Sequence, residues 1–83
     1  MGERKNKATV VFGQVLQELR QAKGLTQEAL ALEAGTERSH ISSLERAEKG
    51  PTLATILVLA SALRMSAAQL MGMVEERLAG KKR

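Results

Sequence analysis

Between Gly24 and Glu45 the sequence GLTQEALALEAGTERSHISSLE leaves room for two short helices, one tight turn and little else. Thr26 stands where a side-chain oxygen satisfies an orphan N–H in a helical first turn, so a helix is expected over roughly 27–34, burying Leu30 and Ala34. Gly35 ends that helix where the backbone needs φ > 0. Thr36 is read as the cap of a second helix over roughly 37–46, anchored by Ile41 and Leu44.

The flanking segments carry helical patterns of their own. From Thr9 to Lys23 the residues Phe12, Val15, Leu16, Leu19 and Ala22 recur at the spacing of an amphipathic helix, which Gly24 stops. Gly50 and Pro51 break the pattern again, and Thr52 can cap the next helix. Leu53 to Leu63 is apolar nearly all round, which in so short a run predicts a central buried helix. Adjacent Ile56, Leu57 and Val58 would also suit a strand, but the cap, the length and the alanine content favour helix. Ser66 and Gln69 form a capping box at the head of a last helix that runs through Leu78 to a stop at Gly80. The expected fold is therefore all-α: a compact five-helix bundle over 9–79, between a basic arm (1–8) and a basic tail (80–83).

A chain of 83 residues has room for one domain, and one of that size buries only about 60% of its unfolded surface. With no cysteine and a single histidine, disulfides are excluded and a Cys/His metal site is implausible. Tight packing and self-association are what remain. No apolar run reaches the roughly 20 residues of a membrane span, and no signal-peptide core follows the charged start, so a cytoplasmic location without membrane association is expected. The net charge is +4, but residues 1–7 and 81–83 hold six of the 13 cations and one of the nine acids. The body from Ala8 to Gly80 thus carries seven basic against eight acidic residues. The basic ends are either solubilising tails or phosphate contacts.

On a helical wheel Ser39, Ser42, Ser43 and Arg46 fall opposite Ile41 and Leu44, with Glu45 at the margin of the buried side. A small, polar, hydrogen-bonding face of this kind suits the DNA major groove; an ordinary solvated helix face would look the same. The wider pattern adds to it. Leu16, Arg20, Gly24, Leu25, Thr26, Gln27, Leu30, Ala31 and Gly35 are followed by Ile41, Ser42, Leu44 and Glu45, then by Pro51, Leu59, Ala60, Ala62, Leu63, Ser66 and Leu70. From Phe12 to about Leu70 the chain in this respect resembles the XRE family of helix-turn-helix domains, the group that includes Cro and the phage repressors, and so implies a lambda-repressor-like bundle.

That resemblance implies a sequence-specific transcription regulator that binds a palindromic site on double-stranded DNA as a homodimer, through the helix at about 37–46. It places Thr26 and Gln27 at the phosphate-facing start of the second helix. It sets Arg38, Ser39 and Ser43 against base edges, where an arginine can grip guanine O6 and N7 and a serine discriminates poorly. Ser42 shares their polar face. Arg46 and Lys49 are implied as contacts to the DNA backbone, and Arg20 with Glu45 as a partly buried ion pair between the first and third helices. His40 lies on the flank of the third helix, as a packing or solvent residue or as a DNA contact.

Three departures stand out. Ala47 and Arg64 replace glycines that commonly end the third and fourth helices, so the third is expected to run on towards Glu48. Glu37 and Glu48 flank the reading surface, where they would repel phosphate.

In the last helix Leu70, Val74 and Leu78 can face the core, with Met71 and Met73 on either side of that stripe as dimer contacts or core filling. A rival function is an antitoxin-like or adaptor protein that uses the same fold to hold a protein partner. No enzyme is expected: with no Asp, no Cys, one His and no Tyr, the usual catalytic constellations cannot be assembled, and no cofactor is implied.

Overall fold

The computed structural model describes residues 6–80, and within them the chain forms five helices. These are α1 (Lys7–Ala22), α2 (Gln27–Ala34), α3 (Arg38–Glu45), α4 (Leu53–Ala62) and α5 (Ala67–Leu78). Most of the expected basic arm and tail lies outside the described residues. Lys7 and Ala8, expected in the arm, are helical, because Asn6 caps α1 by accepting from the Thr9 N–H at 2.7 Å. Thr26, Thr52 and Ser66 cap α2, α4 and α5 through their hydroxyls, and Ser66 with Gln69 completes a capping box.

Thr36 does not cap α3. Glu37 occupies that position with no side-chain hydrogen bond, while the Thr36 N–H donates back to the Ala31 carbonyl. The reason lies in the turn: Gly35, at φ 70°, sends its own N–H to Leu32 and folds Thr36 into the end of α2, so an extended residue must intervene before α3 starts.

The same pair of backbone bonds closes α3 and α4. Ala47 (φ 61°) donates to Leu44 and Glu48 to Ser43; Arg64 (φ 62°) donates to Ser61 and Met65 to Ala60. Helix α3 therefore stops at Glu45 and does not run on, even though a Cβ-bearing residue must take the left-handed conformation, at a cost of about 1–2 kcal/mol. Satisfying two end carbonyls and burying Ala47 (6% exposed) offsets that strain.

The core is assembled from one face of each helix: Phe12, Val15 and Leu16 from α1, Leu30 from α2, Ile41 and Leu44 from α3, Leu59 from α4 and Leu70 with Val74 from α5. Helix α1 packs on both α3 and α5, and Arg77 grips Glu18 through both terminal nitrogens (2.9 and 2.6 Å) across the α1–α5 contact. That hydrogen bonding, ahead of simple charge attraction, holds the Glu18 carboxyl below its ordinary pKa. Helix α1 comes close to α3 at Gly13, where a Cβ would lie 2.5 Å from the Leu44 carbonyl oxygen and 2.8 Å from that of Glu45.

Helix α4 is not buried all round. Leu59, Ala60 and Leu63 enter the core, but Leu53, Leu57 and Val58 are 73, 53 and 45% exposed. Its main contacts are α2 and α5, which lie to either side, so an apolar outer face is left open. No single described helix is long and apolar enough to cross a membrane.

Gly13→Ala is expected to destabilise the fold by about 1–3 kcal/mol, because the contact it crowds is backbone and cannot swing aside. Thermal unfolding checks this as a lowered Tm. Arg64→Gly should act in the opposite direction, raising stability by roughly 1 kcal/mol at an exposed left-handed position.

Candidate nucleic-acid interface

Helices α2 and α3 pack directly on each other, and their relative placement is fixed at the turn and again at the far end of α3. At the turn, Thr36 Oγ1 lies 3.0 Å from His40 Nδ1. His40 is half-buried and lines a groove with Ala54, Thr55 and Val58 of α4. One nitrogen of its ring is therefore engaged at the turn.

At the far end the Glu45 carboxylate gathers three helices. Arg20 of α1 donates to it twice, Nε to Oε2 at 2.6 Å and Nη2 to Oε1 at 3.1 Å, and sends Nη1 to the Leu25 carbonyl at 2.7 Å. Both side chains are almost enclosed, at 10 and 2% exposure. Gln27 of α2 adds a third bond, Nε2 to Glu45 Oε1 at 2.9 Å. A buried charge pair is tolerable only when its remaining donors and acceptors are met, and no buried side-chain nitrogen or oxygen among the described residues lacks a partner.

With its nitrogen committed to Glu45, Gln27 turns its amide oxygen outward, where Arg38 Nη1 stands 3.4 Å away. Arg38 and Ser39 are exposed at the start of α3, and Ser43 is partly exposed one turn further on. Thr26 is exposed beside Gln27, with its hydroxyl used as the α2 cap. Together these side chains form a continuous polar surface across the front of α2 and α3.

Ser42 does not belong to that surface. It is 7% exposed, and its hydroxyl accepts from Arg46 Nη1. A wheel treats a helix as an isolated cylinder; lodged against its neighbours, α3 buries Ser42 along with Ile41 and Leu44.

Arg46, at the C-terminal end of α3, is also paired with Glu48, Nε to Oε2 at 2.9 Å and Nη2 to Oε1 at 3.0 Å. The hydrogen bonds from Arg46, then the charge itself, raise the guanidinium pKa still further. Lys49 is exposed just beyond. On α5, Met71 is half-buried against the core, whereas Met73 is 39% exposed. No group of three His, Asp, Glu or Cys residues able to hold a metal ion occurs among the described residues.

Two contacts escape sequence reasoning. Spacing brings Gln27 to the head of α2 but does not reveal that it joins the Arg20–Glu45 pair. Nor does the acidity of Glu48 reveal that it folds back onto Arg46, since that depends on Ala47 adopting positive φ.

Arg20→Ala is expected to destabilise the fold by about 3–5 kcal/mol, because Glu45 would keep its charge in a nearly closed site with only Gln27 to meet it. A Tm unchanged within error would sink this account of the pair.

The chain matches known proteins over this same unit. The helix-turn-helix family model matches residues 16–70. An uncharacterized HTH-type transcriptional regulator, y4dJ, of Sinorhizobium fredii (strain NBRC 101917 / NGR234) is 41% identical over 58 residues, spanning 70% of this chain and 75% of the relative. Control protein C.SmaI of Serratia marcescens is 36% identical over 61 residues, 74 and 73% of the respective lengths. Among solved structures, the restriction-modification controller protein C.AhdI from Aeromonas hydrophila superposes with a TM-score of 0.75 at 45% identity, covering 78% of this chain and 98% of that one.

Proposed function

Because this chain belongs to the helix-turn-helix family, of the XRE type, we propose that it is a transcription regulator that binds a palindromic DNA operator as a homodimer, with α3 in the major groove. The observation that carries this reading is the polar front of α3, presented on a helix held at its far end by the Arg20–Glu45–Gln27 cluster. A reading helix gains specificity from being placed in advance, since no ordering is then needed on binding.

In this arrangement Arg38 reads a guanine, with Ser39 and Ser43 adding less selective contacts. Thr26 through its hydroxyl and Gln27 through its backbone N–H meet phosphate at the N-terminus of α2, and Arg46 and Lys49 meet the DNA backbone near the end of α3. Ser42, being enclosed, and His40, turned into the groove beside α4, are left out of the contact set. The nearly neutral body makes an adaptor that holds a protein the competing reading. The two differ in salt response: phosphate contacts give log K a slope near −0.9 per neutralised phosphate, whereas a protein contact of the same area need not.

Two-fold symmetry would set paired α3 helices about 34 Å apart, one turn of DNA. Of the exposed apolar residues, Leu53 and Leu57 on α4 and Met73 on α5 are assigned to such a seam; Met71 is half-buried against the core. The protein would then act in the cytoplasm, where its DNA is, with no cofactor and no catalytic step.

Arg38→Ala is expected to relax base preference at one position per half-site, while Lys49→Ala weakens all sequences about equally. Binding to a panel of single-base operator variants separates the two, and an unaltered preference profile in Arg38→Ala would remove that residue from base reading. For the dimer, Leu57→Glu and Met73→Glu are each compared with the unmodified protein by sedimentation at tens of micromolar. A folded monomer in one of them locates the seam. A monomer already in the unmodified protein, or dimers in both variants, would reject this surface.

A further inference from the structure

Glu48 is acidic at the edge of a surface meant for phosphate, yet the backbone adopts a disfavoured conformation to bring it there. Ala47 takes the left-handed region at φ 61°, the Glu48 N–H closes onto the Ser43 carbonyl at 2.9 Å, and the side chain is thereby thrown back along α3. Its two carboxylate oxygens then take Nε and Nη2 of Arg46 at 2.9 and 3.0 Å, and Oε1 also accepts from the Ser43 hydroxyl at 3.4 Å. Nη1 of the same guanidinium donates to the Ser42 hydroxyl. A carboxylate and a phosphate present the same paired oxygens to a guanidinium. The pair is open to solvent, with side chains 60 and 49% exposed, so it can exchange partners.

We propose that Glu48 is an internal competitor for the DNA phosphate at Arg46. It sets how tightly the protein holds the backbone of any DNA without altering which bases it prefers. This rests on the DNA-binding reading above. When DNA arrives, Arg46 must leave Glu48 to take a phosphate, and the displaced carboxylate stays close to that phosphate and opposes it. Both effects weaken binding on every sequence alike, because the contact is to the backbone. They also reduce the charge that Arg46 delivers to DNA, so fewer counterions are released than the number of basic side chains suggests.

The test compares Glu48→Gln with the unmodified protein on an operator duplex and a random duplex across a salt series. Removing the competitor should tighten both by about tenfold at low salt and steepen the slope of log K against log salt by up to about 0.9, with the single-base preference profile unchanged. Glu37→Gln removes a charge near the same helix without touching Arg46 and should give a smaller, sequence-independent gain. In an Arg46→Ala background the extra gain of Glu48→Gln over Glu37→Gln should vanish. Equal gains from the two glutamates, a persisting gain without Arg46, or weaker binding in Glu48→Gln would each overturn the proposal. Absence of salt-dependent DNA binding by the unmodified protein would overturn it together with the regulator reading, whereas normal binding with an inert Glu48→Gln would remove the competitor alone. Thermal unfolding of Glu48→Gln close to that of the unmodified protein shows that the change is not one of folding.

Discussion

The Glu45 carboxylate is the point on which the rest of the domain is hung. It stands at the end of α3, is met twice by Arg20 from α1, and is met again by Gln27 from α2. An apolar contact among three helices would allow small rotations of each; a carboxylate with directional donors on both oxygens does not. The arrangement stabilises less than its Coulomb attraction suggests, since both ions are taken out of water. Its contribution is the angle at which α3 leaves the core.

Helix ends do comparable work around the rest of the fold. Helices α1, α2, α3 and α4 all terminate by the same two backbone bonds across a left-handed residue, at Gly24, Gly35, Ala47 and Arg64. These closures make sharp changes of direction within three or four residues and leave few end carbonyls without a donor. Two of the four residues are glycine. Where the chain has a Cβ instead, the surrounding contacts hold the conformation that the residue itself disfavours.

Helix number, helix order and the caps at Thr26, Thr52 and Ser66 are legible in the sequence because capping is local chemistry between residues three apart. Gly35 is legible for the same reason. The cap expected at Thr36 fails because the preceding turn reaches one residue further than a cap rule considers. Ala47 suggests a longer helix, since propensity speaks for alanine in a helix while tertiary packing decides φ. For α4, apolar character shows that its side chains could be buried but not whether anything lies opposite to bury them. Of the candidate surface, Arg38, Ser39 and Ser43 can be placed by periodicity, whereas the enclosure of Ser42 and the grip of Glu48 on Arg46 depend on how neighbouring elements meet.

Helices α2 and α3 have eight residues each, well below the roughly 12–15 at which an isolated helix becomes even marginally stable in water. They exist because their neighbours support them: α1 carries α3 through the Gly13 approach and the Arg20–Glu45 pair, and α2 rests on α3 and α4. The unit at the front of the molecule therefore has no independent existence as a peptide, and it cannot outlast the support it packs on. Any opening that takes α1 away from this face takes α3 with it, so amides of α3 cannot be better protected from exchange than the part of α1 that carries them.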